Sequence, residues 1–508
     1  MEMNKEDRHA IGNHRLTLWN TIAVILLQFF TIASNFIIPN LILSAFGSEV
    51  NGLIATLTQL LNYVALIEGG LSGVIMANLY RPLLKHDYEK VSSVIKTSQK
   101  TFRRISLIFV AYAFVLAVAF PVLFRSSFSW TYVSSMAIIL SIKLFVQYCF
   151  SFSYKNLLNA DKKVYFVSVT QIVLIILDTL SAILIAKLMP NAHVLKLVSA
   201  IIFLIQPIMY GKYVKANYEL DKNASVDEKL SRERWDGLAI NTAAFIHGNT
   251  DITIISIFNG LKAASVYNIY SLVSVGLKTI SQSLWKALGP STGKLYASGD
   301  IKTLNRRFDT FEYLTFFMTF FLFSVAGLLI TPFVQIYTSG ITDADYYQPL
   351  FGALILVAEG IYILREPYVN LAYGANKFKD IRLHAIIEAI LNIVISITLV
   401  PILGIVGVAI GTLVAMTYRT LFQILYLRNH LINRSFKKFL KAFFAFAIPT
   451  VILIFICSII IPLNNPSVLK WISYAVLYSV IFGITYLAVS LLFFRKELKE
   501  LKAYIKHK

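Results

Sequence analysis

His247 and Asp251 stand four residues apart in FIHGNTDITII (245–255), so on a helix they share one face, a turn apart. An imidazole and a carboxylate at that spacing either bond each other or bind and release a proton or cation. Both lie in a strongly apolar stretch, and an Asp, Lys or Arg at the centre of a membrane helix costs about 2.5 to 3.5 kcal/mol. Other ionisable residues interrupt apolar runs in the same way: Glu68, Lys143 and Asp178 early, then Lys278, Glu359, Arg365, Glu366 and Glu388. Lys278 either holds an anionic headgroup or pairs with Asp251. The planar fork of Arg365 suits a pyrophosphate, although Glu366 stands beside it. Glu68 precedes GGLSG, whose Gly69 and Gly73 form a small-residue face for close helix approach or a bend. Depth and charge thus nominate Lys143, Lys278, Arg365 and His247 for an anionic substrate. Glu68, Asp178, Asp251 and Glu359 are nominated for a coupling ion.

The elements that position these groups are membrane helices. The chain of 508 residues is 57% hydrophobic and only 15% charged, with mean hydropathy +0.67, far from the balance of a soluble domain. FFAFAIPTVILIFICSIIIPL (443–463) and WISYAVLYSVIFGITYLAVSLLFF (471–494) exceed the roughly 20 apolar residues needed to cross a bilayer core. Cys149 and Cys457 both fall inside apolar spans and build neither a disulfide framework nor a metal cluster. The charged leader with Lys5, Arg8 and Arg15 precedes an apolar run too long for a cleavable signal, so an uncleaved first helix is expected.

Apolar runs between charged breaks number about fourteen. They lie near 16–44, 50–80, 104–125, 130–154, 164–187, 194–214, 236–259, 264–288, 311–336, 348–372, 383–400, 403–426, 442–463 and 470–494. Alternate loops collect the basic residues, among them Arg103, Arg104, Lys162, Lys163, Arg306, Arg307, Arg434 and the tail from Arg495. The opposite loops hold little beyond Arg125, Lys187, Lys196, Lys262 and Lys470. The positive-inside rule then makes both termini cytoplasmic in a multi-pass cell-membrane protein. The net charge of +20 is topological, with membrane lipid headgroups rather than nucleic acid as its partners. Arg419 lies close enough to the cytoplasmic end of its helix to snorkel.

Two six-helix halves repeat weakly. FGSEVNGLIATLTQLLNYV (46–64) parallels FNGLKAASVYNIYSLVSVG (258–276), Arg103-Arg104 parallels Arg306-Arg307, and NLLNADKK (156–163) parallels NLAYGANKFK (370–379). An even helix number per half makes the repeats parallel, and such repeats build two-lobed transporters with a midplane site. The expected fold is all-α, with two six-helix lobes around a central cavity (1–217 and 218–430) and two additional C-terminal helices with a basic tail (431–508).

Motifs for catalysis fail. GPSTGK (289–294) has only three residues between its glycines, and Leu295 follows its lysine where a phosphate loop needs Ser or Thr. The sequons at Asn223 and Asn433 fall in cytoplasmic loops. No zinc spacing, nucleophile elbow or dinucleotide fingerprint is present, so an enzyme is not expected.

The order of these features resembles the polysaccharide flippases (Wzx-like) of the multidrug/oligosaccharidyl-lipid/polysaccharide exporter superfamily. The segment FGSEVNGLIATLTQLLNYVALIEGGLSGVIMANLYRPLLKHDYEKV (46–91), with Lys85, Asp87 and Lys90 in its basic loop, carries the resemblance, together with NADKK and GANKFK. It implies translocation of an undecaprenyl-pyrophosphate-linked oligosaccharide to the outer leaflet by alternating access, for surface polysaccharide export. It also implies an ion gradient (H+ or Na+) or the membrane potential as driving force, no cofactor, and polysaccharide polymerase machinery as a further partner. The acids among the cations depart from a purely cationic cavity and leave the coupling open. A lipid II flippase and a multidrug/cation antiporter are rivals of the same superfamily. A membrane glycan polymerase would need a long extracytoplasmic loop that this chain does not have.

Overall fold

A computed structural model describes residues 5–123, 128–221, 224–226, 250–375, 377–432 and 434–506. Among them all regular structure is helical, because only a helix satisfies its own backbone groups inside a bilayer. Eleven stretches are long and apolar enough to cross a membrane, by length and composition. The protein is therefore multi-pass. The expected spans 16–44 and 50–80 share one element, α1 (Lys5–Asn62), which turns at Gly47 and is followed by α2 (Ala65–Leu84). The span 348–372 is divided at Arg365 into α11 (Pro349–Leu364) and α12 (Glu366–Gly374). Most of the span 236–259 lies outside the described residues, and its end opens α9 (Asp251–Ala297).

The chain divides into two compact units, Met1–Ser265 and Val266–Lys508. In the first, α1 and α2 are followed by α3 (Tyr88–Leu123) and α4 (Trp130–Val146), then a π-helical turn over Gln147–Ser151 that leads into α5 (Phe152–Ala160). Next come α6 (Val164–Leu188), α7 (Ala192–Phe203) and α8 (Ile205–Asn217). One core packs Leu53 and Leu57 of α1 against Phe120, Met136, Ala182 and Leu195; a second joins α2, α3, α5 and α8 around Phe102, Phe109, Tyr148 and Tyr210. The start of α9 lies along α1, where Asn51 donates to Ser265 at 2.7 Å, and Thr56 and Ser256 bond at 2.6 Å. Gly52 allows this approach, since a Cβ there would stand 1.8 Å from the Leu261 carbonyl oxygen.

In the second unit the rest of α9 is followed by α10 (Ile301–Tyr337), α11 and α12. The helices α13 (Phe378–Leu403) and α14 (Ile405–His430) form a close hairpin. Gly407 and Gly411 of α14 meet Leu399 and Ser396 so tightly that a Cβ would fall 2.6 and 2.4 Å from them, the small-xxx-small packing of membrane helices. The two additional helices, α15 (Phe436–Ile460) and α16 (Val468–Phe493), dock on α10, and α17 (Arg495–Lys506) follows. Tyr313 donates to Ser490 at 2.8 Å, Trp471 Nε1 donates to the Leu329 carbonyl at 3.1 Å, and Phe316, Phe320, Phe446 and Tyr486 fill the seam. Buried polar bonds of this kind hold helices together where lipid removes the hydrophobic drive for association. Arg434 ties the α14–α15 connection to α10 through Asp309 (2.9 Å) and Glu312, which also takes the Tyr368 hydroxyl.

Three features recur in the two halves. Gly47 and Gly260 turn their helices with nearly the same backbone, φ 82 and ψ 177 against φ 83 and ψ 177, a left-handed conformation suited to glycine. The fourth helix of each half is interrupted, at Gln147–Ser151 and at Arg365. A tyrosine at the end of each sixth helix closes the connection after the fourth: Tyr218 donates to Asp161 at 2.6 Å, and Tyr426 donates to Asp380 at 2.5 Å. Burial first, and the Asp161 carboxylate second, hold the Tyr218 phenol well above its ordinary pKa, so it remains a donor.

Candidate functional site

In the first unit Lys143 of α4, Asp178 of α6 and Lys196 of α7 form one electrostatic cluster. Asp178 is 9% exposed and lies within reach of both half-buried lysines. The Lys143 ammonium sits 3.4 Å from the centre of the Phe203 ring, an aromatic face that attracts a cation without neutralising it. Among the described residues, two lysines against one carboxylate leave a surplus positive charge. Lys196, counted from sequence with the outward loops although it fell just inside the expected span 194–214, belongs here as a residue of the first turns of α7. Asn191 caps it, accepting from the backbone of His193 (2.9 Å) and Val194 (3.2 Å). A capping asparagine before an apolar run is the signal that locates this lysine.

In the second unit Lys278 of α9 meets Glu359 of α11 at 3.0 Å, with the Tyr362 ring centre 4.2 Å from its ammonium. Its partner is thus a glutamate 81 residues away. Arg365 lies 4.5 Å from the centre of the same Tyr362 ring and bonds Glu388 of α13 at 2.6 Å. Arg419 of α14, expected to snorkel, is instead 5% exposed and stands 3.9 Å from the same Glu388. The α13–α14 hairpin turns it inward, and its Nε and Nη1 make no hydrogen bond among the described residues. Gln282 reaches both the Tyr362 hydroxyl and Glu366 at 3.3 Å. Lys278, Arg365 and Arg419 face Glu359, Glu366 and Glu388, so this cluster is balanced in charge.

Of the other nominated residues, Asp251 is the buried first residue of α9, within electrostatic reach of Tyr63. His247 and the side chain of Glu68 lie outside the described residues.

No family model and no curated relative matches this sequence. Solved structures do. The chain is similar to the lipid II flippase MurJ in an inward closed conformation, at 16% identity, over 92% of this chain and 98% of that one, with a TM-score of 0.66. It is also similar to the eukaryotic MATE transporter AtDTX14 (13% identity, 84% and 98% of the two chains, TM-score 0.60). The MATE multidrug transporter DinF-BH matches at 16% identity over 82% and 95%, with a TM-score of 0.58. This chain shares their fold. In that all-helical fold both clusters join the fourth helix of a half to its neighbours, α6 and α7 in the first and α9, α13 and α14 in the second.

Proposed function

We propose that this protein is a flippase that carries an undecaprenyl-pyrophosphate-linked oligosaccharide across the cytoplasmic membrane by alternating access, for surface polysaccharide export. The observation that carries this reading is the grouping, among the described residues, of two lysines, Lys143 and Lys196, with the one carboxylate of Asp178, and with the Lys143 ammonium on the Phe203 ring. A half-buried excess of positive charge calls for an anion, and the pyrophosphate of a lipid carrier supplies one. Lys278 and Arg365 contribute as exchangeable cations: an incoming phosphate competes with Glu359 for Lys278, and the released glutamate takes up a coupling proton or Na+. Asp178, Asp251, Glu68 and His247 belong to the same proposed set.

A lipid II flippase is the second reading. The likeness to MurJ covers 92% of this chain, against 84% for the eukaryotic MATE transporter, which favours a lipid carrier over a cation extruder. The test is deletion of the gene followed by analysis of lipid-linked intermediates. Accumulation of undecaprenyl-linked repeat units on the cytoplasmic leaflet supports the proposal. Accumulated lipid II selects the second reading, and lost drug resistance with no lipid intermediate rejects both.

A further inference from the structure

A separate cavity of about 920 Å3 lies in the first unit, between α3, the π-helical turn, α8 and Val226. One wall is a cationic face of α3: Lys96, Lys100, Arg103 and Arg104. The other walls are apolar, with Leu107, Phe150 and Ile208 respectively 65%, 53% and 55% exposed. From Lys96 to Leu107 is eleven residues, about 16 Å along a helix, so the cavity runs from a basic rim into the apolar span that starts at Ile105. Both facing helices are irregular where they line it. Cys149 and Phe150 belong to the π-helical turn, and Pro207 follows the break at Leu204 between α7 and α8.

The matching arginine in the second unit is exposed too, but already has a counter-charge. Arg306 of α10 is bound by Glu500 of α17 at 3.1 Å, and Thr310 donates to the same carboxylate at 3.0 Å. On α3 the corresponding Arg103 and Arg104 are exposed, and no ion pair to Lys100, Arg103 or Arg104 occurs among the described residues.

We infer that this cavity is a binding site for an anionic phospholipid of the leaflet that faces the basic loops, its phosphate on Lys100, Arg103 and Arg104 and its acyl chains against Leu107, Phe150 and Ile208. The charge complements a phosphate, and the adjoining apolar walls select a lipid over a free anion. The site is independent of whichever substrate the protein carries. Each cation near an anionic headgroup strengthens binding about fivefold.

Native mass spectrometry of the purified full chain tests it, with phosphatidylglycerol and phosphatidylcholine of identical acyl chains as probes. The wild type should retain phosphatidylglycerol preferentially, Arg104→Gln should weaken the tightest adduct about fivefold, and Lys100→Gln/Arg103→Gln/Arg104→Gln should weaken it on the order of a hundredfold. Arg306→Gln/Arg307→Gln should leave it unchanged. An unaltered preference in the triple variant overturns the assignment, as does an equal loss in the α10 variant. Displacement of the lipid by millimolar inorganic phosphate alone would make this a free-anion site and also overturn it.

Discussion

Glu388 holds two buried arginines, Arg365 at 2.6 Å and Arg419 at 3.9 Å. Removing one partner of a buried ionic group typically costs about 3 to 5 kcal/mol, because the other charge is left uncompensated. Glu388→Gln is therefore expected to lower the thermal midpoint of the purified protein sharply, with Arg365→Ala less damaging because it leaves Arg419 to the carboxylate. Lys143 differs, since Phe203 supplies a ring face and no counter-charge of its own. Lys143→Gln is expected to keep the midpoint near wild type while cutting substrate export about tenfold, the equivalent of about 1.4 kcal/mol of anion binding. A stability loss as large as that of Glu388→Gln would make Lys143 a structural residue. Most of these charges stood out in the sequence because each interrupts an apolar run, whereas Lys196 was counted with a loop and Arg419 with a helix end. Their partners did not stand out, because pairing depends on the register of helices distant in sequence, as Lys278 and Glu359 illustrate.

At the scale of elements, glycines decide where helices touch and turn. Gly69 and Gly73 stood out in sequence for their spacing, yet a Cβ at Gly73 meets nothing within 4 Å. Close approaches are instead found at Gly52, Gly352, Gly407 and Gly411. Gly52→Ala would drive a methyl into the Leu261 carbonyl and is expected to destabilise by about 1 to 3 kcal/mol, as overpacking does. Gly73→Ala should be nearly neutral. Thermal unfolding of the two variants checks the contrast, and equal midpoints would contradict the described α1–α9 packing. The helix positions themselves were largely readable from hydropathy, and the internal repeat from FGSEVNGL and FNGLKAAS. The shared turn at Gly47 and Gly260 was hidden, because a glycine's φ leaves no trace in composition.

For the whole molecule, the asymmetry of Lys and Arg between loops gives an orientation that can be read directly. With Cys149 and Cys457 replaced by alanine, a cysteine at the exposed Ser298 is expected to react with an impermeant maleimide only from the cytoplasm, and one at the exposed Asn465 only from outside. Reversed labelling would overturn the orientation and with it the direction of transport. The central claim is that the surplus cation of Lys143 and Lys196 carries an anionic lipid. Its most direct test is translocation of an undecaprenyl-pyrophosphate-linked oligosaccharide in proteoliposomes, comparing the wild type with Lys143→Gln/Lys196→Gln. Wild-type protein should move the lipid, and the double variant should lose at least about tenfold of the rate. A double variant that moves it at the wild-type rate, or a wild type that moves only cationic drugs, would contradict the claim.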